Sequence, residues 1–182
     1  MELFDALNEK HRAFIEQQKL FFVATAGAQG RVNVSPKGLD SLRVADSDGG
    51  PSKVYWLNLT GSGNETAAHV LENARMTLMF CSFDKQPLIL RLYGDATMIS
   101  PGDERWDKLI SAFSDFVGTR QIFELTVDLV QTSCGYAVPF YEFGGERETL
   151  NKWSENKRRE GILAYQQENN MRSLDDKPTG LK

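Results

Sequence analysis

Apolar residues along this chain follow two rhythms, and the change from one to the other divides it into elements. Phe4, Leu7, His11, Phe14, Ile15 and Gln18 recur near helical spacing, which predicts an amphipathic helix over residues 2–18. From there the period becomes that of strands. LFFVAT (20–25) is a continuous apolar run and AGAQG a glycine turn. RVNVS (31–35) alternates, with Val32 and Val34 on one face and Arg31, Asn33 and Ser35 on the other. SLRVA (41–45) follows, then KVYWLNL (53–59) after an Asp48-Gly49-Gly50-Pro51 loop, MTLMFCSF (76–83), LILRLYGDATMI (88–99) and IFELTVDLV (122–130), for seven predicted strands. Gly94 marks a bend, and Phe123, Leu125, Val127 and Leu129 are predicted to point inward.

Helical signals fall between and after these strands. Residues 64–73 read as a short helix with Ala67, Val70, Leu71 and Ala74 as its buried stripe. Ser100-Pro101-Gly102-Asp103 has the form of a helix start, and Trp106, Leu109, Ile110, Phe113 and Val117 then share one helical face. From Glu146 the chain is helical and rich in charges of alternating sign, with Gly161 a candidate break. Many antiparallel-type strands with few helices predict a mainly β fold, a barrel with flanking helices. It forms a single domain over residues 1–182: an N-terminal helix (1–18), the barrel (19–133) and a C-terminal helical segment (145–170).

Composition narrows the possibilities. With 182 residues, 41% of them hydrophobic, the chain is long enough to bury one core. A net charge of −4 argues against nucleic acid or acidic lipid as a partner, so any basic site must be local. No run approaches the roughly 20 apolar residues of a membrane span. Two cysteines and two histidines offer no disulfide framework and no metal-ligand spacing. A cytoplasmic protein without a metal is expected.

The chemistry concentrates in LTGSGNETAAHV (59–70). Ser62 and Glu65 have capping-box spacing, which by itself accounts for much of the stretch. The glycines on both sides of Ser62 are not needed for a cap, and they let a phosphate approach free amides at a helix start, where the dipole adds about 0.3–1 kcal/mol. That is too weak alone, so cations are required. Lys37 in SPKG and Arg91 in LILRLYG are the candidates: the plainer reading of a turn lysine is a solvated surface residue, whereas a guanidinium between apolar neighbours in a strand normally has an anionic or planar partner. Tyr55 and Trp56 read as core. His69, off the helix stripe, reads as a surface or interface residue, and Cys134 as a buried thiol in a loop that closes the barrel.

Taken together, FFVAT, SPKG, GSGNETAAH, ILRLYG and SCGYAVPFYEFGGER resemble the FMN-binding split-barrel family that includes pyridoxamine 5′-phosphate oxidase, over residues 18–150. The resemblance implies an FMN-binding split β-barrel, a homodimer with FMN in a groove between protomers, and a small-molecule substrate or electron donor. It places Val34, Ser35 and Lys37 along the flavin, and Ser62, Gly63, Asn64 and Thr66 at its phosphate, with Arg91 reaching the phosphate or flavin from a neighbouring strand. Tyr136, Arg147 and Trp153 are candidate walls of a substrate pocket. No nucleophile or general base is assigned, because the flavin carries the redox chemistry. The chain departs from the characterised oxidases in two places. Glu65-Thr66 stands where they have an Arg-Lys pair, and their C-terminal Arg-x-His element is absent. An FMN-dependent oxidoreductase, a flavin-holding protein without turnover and a cofactor-free barrel therefore remain distinct readings.

Overall fold

In a computed structural model, which describes residues 1–45 and 50–182, the strand rhythm forms one antiparallel sheet of eight strands that curls on itself. Asp48 and Gly49 of the predicted loop lie outside the described residues. The elements are β1 (Glu2–Phe4), α1 (Glu9–Gln17), β2 (Phe21–Thr25), β3 (Asn33–Lys37), β4 (Leu42–Val44), β5 (Lys53–Leu59), α2 (Glu65–Glu72), β6 (Arg75–Cys81), β7 (Ile89–Ile99), α3 (Trp106–Ile110), β8 (Thr119–Ser133) and α4 (Thr149–Asn169). Strand order is β3-β2-β6-β7-β8-β5-β4, with β1 added to the far end of β8. Among the described residues no ladder joins β3 to β4, so the barrel is split rather than closed by hydrogen bonds.

Alternation sets the two faces. Val23, Val54, Trp56, Leu78, Phe80, Leu90, Leu92, Phe123 and Leu125 fill the inside, joined by Phe14 and Ile15 of α1 and Ala67 of α2. Trp56 stacks on Phe123 at 4.6 Å between ring centres. On the outside, Leu57, Ile99, Phe113 and Ile122 form a second cluster beneath Trp106, Leu109 and Ile110 of α3.

Several expected boundaries move, each for a local reason. The first helix begins at Glu9, because the Asn8 side chain accepts from the His11 amide and the His11 ring accepts from the Asn8 amide, a reciprocal cap. Residues 2–4 pair with β8 instead. The Ser100-Pro101-Gly102-Asp103 segment is a turn, since Gly102 has φ +97° and the Asp103 carboxylate takes the Arg105 amide. The last helix runs through Gly161, and its kink is at Arg158, φ 58°. In α2 the buried residues are Thr66, Ala67, Ala68 and His69, whereas Leu71 is exposed. His69 is thus a core residue, with Nδ1 within 3.1 Å of the Thr25 hydroxyl. Cys134 is exposed and Cys81 buried, the reverse of the expectation for Cys134.

β8 contains two bulges. Tyr93 pairs with Leu129 and Gly94 with Val127, so Asp128 is the extra residue, and beyond it Val130 rather than Leu129 turns into the core. Gly94 is required there, since a Cβ would lie 1.9 Å from the Thr126 carbonyl oxygen. The other bulge falls where Asn58 pairs with Gln121 and Leu59 with Thr119, leaving Arg120 as the extra residue.

Candidate functional site

That bulge turns Arg120 toward the start of α2. Although it is only 3% exposed, the guanidinium has neutral partners: Nη1 donates to Asn170 Oδ1 at 2.6 Å and Nη2 to the Gly63 carbonyl at 3.1 Å. Arg120 shares a polar cavity of about 300 Å³ with Asn33, Ser35 and Lys37 of β3, Asn58 of β5, and Ser62, Gly63, Asn64, Glu65 and Thr66 around the α2 start. The polar face of β3 therefore points inward, toward the loop.

Charge is unbalanced in this cavity. Among the described residues no carboxylate is ion-paired with Arg120 or Lys37. Burial lowers the Arg120 pKa to about 10. It also lowers that of Lys37 to about 8, with the Arg120 charge contributing. The Lys37 ammonium sits 5.3 Å from the centre of the Trp56 ring. Two desolvated cations without an opposing charge are costly unless an anion joins them.

The loop supplies further donors. Among the described residues, no backbone acceptor takes the amides of Ser62, Gly63 or Asn64. Asn64 Nδ2 is buried without a partner, and so is Arg120 Nε. Glu65, which lines the same cavity, is engaged by the C-terminal tail: its carboxylate oxygens accept from the Leu174 amide at 3.0 Å. The expected Ser62–Glu65 capping box is thereby corrected, because Glu65 holds the C-terminal tail and the α2 cap position, Asn64, makes no side-chain capping bond. These groups fit a phosphate: two cations, the unpartnered Asn64 side-chain amide, and the hydroxyls of Ser35, Ser62 and Thr66.

Of the residues singled out from sequence, Ser35, Lys37, Ser62, Gly63, Asn64 and Thr66 meet here. Val34 lies on the opposite face of β3 and is 59% exposed, because alternate residues of a strand point to opposite sides. Arg91 does not reach the cavity. It is on the outer face of β7, donating to Gln131 Oε1 at 3.3 Å and Ser133 Oγ at 3.2 Å, while its neighbours Leu90 and Leu92 fill the core. Arg120 takes the place expected of Arg91. A strand read from residue 122 stops short of Arg120, and the bulge removes it from the alternation that would have revealed it.

Lys37, Leu59 and Gly61 also border a larger, mainly apolar cavity of about 820 Å³. Arg147 and Trp153 line this space, with Phe143, Leu57 and Leu150. Tyr136 does not. It is 83% exposed, in a turn closed by the Val138 amide on the Gly135 carbonyl, after β8 has run past the site. The arrangement can hold an anionic head against the α2 start and an apolar body alongside, with Lys37 at the junction. No helix among the described residues is long and apolar enough to cross a membrane, and none of their His, Cys, Asp or Glu groups forms a metal-binding cluster.

Residues 7–134 match the family described as pyridoxamine 5′-phosphate oxidase. The pyridoxamine 5′-phosphate oxidase family protein ustO of Aspergillus flavus is 38% identical over 191 residues, covering 96% of this chain and 76% of that protein. Among solved structures, HupZ of Group A Streptococcus superposes with a TM-score of 0.53 at 18% identity, covering 75% of this chain and 99% of that one. A Clostridium acetobutylicum protein related to general stress protein 26 of B. subtilis, from the pyridoxinephosphate oxidase family, gives 0.50 at 16% identity, covering 69% and 86%. At these identities the two structures establish a shared fold and no more.

Proposed function

The chain belongs to the pyridoxamine 5′-phosphate oxidase family, and from that premise we propose that it is an FMN-binding flavoprotein acting as an oxidoreductase on a small molecule, as a homodimer. The observation that carries this reading is the pair of cations without an ion-paired carboxylate among the described residues, the buried Arg120 and the half-buried Lys37, which line one polar cavity with the hydroxyl residues Ser35, Ser62 and Thr66. A flavin mononucleotide phosphate is a dianion of the right size for that cavity. Its ring system would extend toward the adjoining apolar space, where Trp153 and Arg147 are candidate substrate contacts.

FMN when bound supplies the hydride and electron transfer. The residues of the chain bind and orient it. Arg120 and Lys37 neutralise the phosphate, while Ser35, Ser62, Asn64 and Thr66 fix its position with hydrogen bonds. Lys37 also keeps a positive charge at the junction of the two cavities. Association into a dimer is supported by Val32, just before β3, and Val34 on the outer face of β3, 71% and 59% exposed. Val32 borders a groove of about 390 Å³ with Ala24, Tyr93 and Gly94.

Protein purified without added flavin should be yellow and release FMN, not FAD, on denaturation. Sedimentation should show a dimer. A folded, colourless protein that ignores added FMN would overturn the reading. Anaerobic bleaching by NADH or NADPH supports the oxidoreductase assignment. A retained flavin that no donor reduces selects a flavin-holding role, the outcome in keeping with the missing Arg-x-His element.

A further inference from the structure

The C-terminal segment, which lies beyond the family match at 7–134, reaches back to the cavity-lining Arg120 and Gly61 through Asn170. Asn170 follows α4 and is fully buried. Its Oδ1 accepts from Arg120 Nη1, and its Nδ2 donates to the Gly61 carbonyl at 3.1 Å. The segment is itself anchored: Gln166 donates to the Thr60 hydroxyl at 2.8 Å, and the Thr179 hydroxyl donates to the Asn170 carbonyl at 2.6 Å. Arg120 in turn holds the Gly63 carbonyl. The carbonyls of Gly61 and Gly63 are thus both tied to the Asn170–Arg120 pair. In a trans peptide the following N–H points opposite to the carbonyl, so the amides of Ser62 and Asn64 face the other side of the loop.

We infer that Asn170 is a positioning residue for the phosphate: it fixes the Arg120 guanidinium and the Gly61–Gly63 loop while leaving the arginine's charge unspent. A buried arginine commonly has a carboxylate partner, and an aspartate at this position would have nearly the same shape as asparagine. The neutral amide holds the guanidinium through one acceptor oxygen, and its Nδ2 does what a carboxylate cannot, donating to Gly61. Of the five N–H groups on Arg120, two are taken by Asn170 and Gly63, and the others remain for a ligand. The role rests on FMN being the ligand, and it adds a determinant of the preference for a phosphorylated flavin.

The test compares FMN with riboflavin, which lacks only the phosphate. Flavin-free wild-type protein should prefer FMN. Asn170→Asp gives Arg120 a fixed counter-charge, and should reduce FMN affinity about tenfold or more while riboflavin affinity changes less than about twofold. In an Arg120→Gln background the same substitution should leave the FMN-to-riboflavin ratio within about twofold, because its route is through the arginine. Equal loss of both flavins in a folded Asn170→Asp protein, or an undiminished effect in the Arg120→Gln background, would reduce Asn170 to a structural residue. Wild-type protein that binds both flavins alike would instead overturn the phosphate reading, and this role with it. Should Asn170→Asp fail to fold, Asn170→Ser keeps a hydroxyl acceptor without the charge. It should lose less of the ratio than Arg120→Gln, and equal or greater loss would refute the positioning role.

Discussion

Lys37→Met should make the flavin-free protein more stable and at the same time weaken FMN binding. Burial lowers the lysine pKa from 10.5 to about 8, equivalent to about 3 kcal/mol against the charged form inside the fold. The methionine removes that cost but also removes the ammonium–Trp56 contact at 5.3 Å, worth about 0.5–2 kcal/mol. A net stabilisation of about 1–2 kcal/mol at pH 7 follows. The direction with pH is fixed by linkage. The folded-state pKa lies below the unfolded one, so the penalty on wild type is full below pH 8. It fades as pH rises from about 8 to 10.5 and is gone once the lysine is neutral in both states. Urea unfolding of the two flavin-free proteins at pH 7 and pH 10.5 reads the difference directly, and titration with FMN reads the loss of affinity. Destabilisation at pH 7, or an advantage that does not shrink at pH 10.5, would refute the claim that an unpaired cation is held partly desolvated here.

Other outcomes follow from the same geometry. FMN affinity of the wild type should be level between about pH 7 and 8, where the phosphate is already a dianion, and then fall as Lys37 loses its proton, whereas Lys37→Met should show no such decline; fluorescence titrations across about pH 7–10 check this. Glu65→Ala removes the acceptor of the Leu174 amide, so it should cost about 1–2 kcal/mol and expose residues 172–182 to protease, visible in limited proteolysis. Gly94→Ala forces a methyl group against the Thr126 carbonyl and should lower stability by about 2 kcal/mol or more in thermal unfolding, with the sheet parted at the bulge.

The barrel was legible because burial imposes a period of two: the runs at 20–25, 53–59 and 88–99 each contain the strand found there, and 76–83 covers all of β6 but Arg75. Polar bonds that outweigh the hydrophobic period were harder to read. Phe4 and Leu7 have helical spacing, yet the Asn8–His11 cap stops the helix after them, and Phe4 meets the His11 ring from a strand, 4.7 Å away. Ser62 and Glu65 have the spacing of a capping box, but Glu65 has a partner more than a hundred residues along the chain, which no local spacing encodes. The residues of SPKG and GSGNET that line one cavity stood out because their glycines and hydroxyls carry information that packing does not use.

The exchange of Arg91 for Arg120 shows where reading by alternation fails. Both are arginines within apolar strands of the same sheet. Arg91 occupies a regular position opposite Gln131, so its face is dictated by parity, and parity turns it outward because Leu90 and Leu92 are needed in the core. Arg120 occupies a bulge between the Asn58–Gln121 and Leu59–Thr119 pairs, where the extra residue is released from parity and can be aimed independently of its neighbours. A buried cation without a carboxylate would be a defect in a protein selected for stability alone. Its occurrence in β8 beside the α2 start, held there by the neutral Asn170 and Gly63, is most simply explained by an anion that completes the site. Moving the charge tests this argument. If Arg120→Lys retains the FMN preference only in part and Arg120→Gln loses it entirely, the bulge serves ligand binding. If Arg120→Gln keeps full preference for FMN over riboflavin, the bulge belongs to the fold alone.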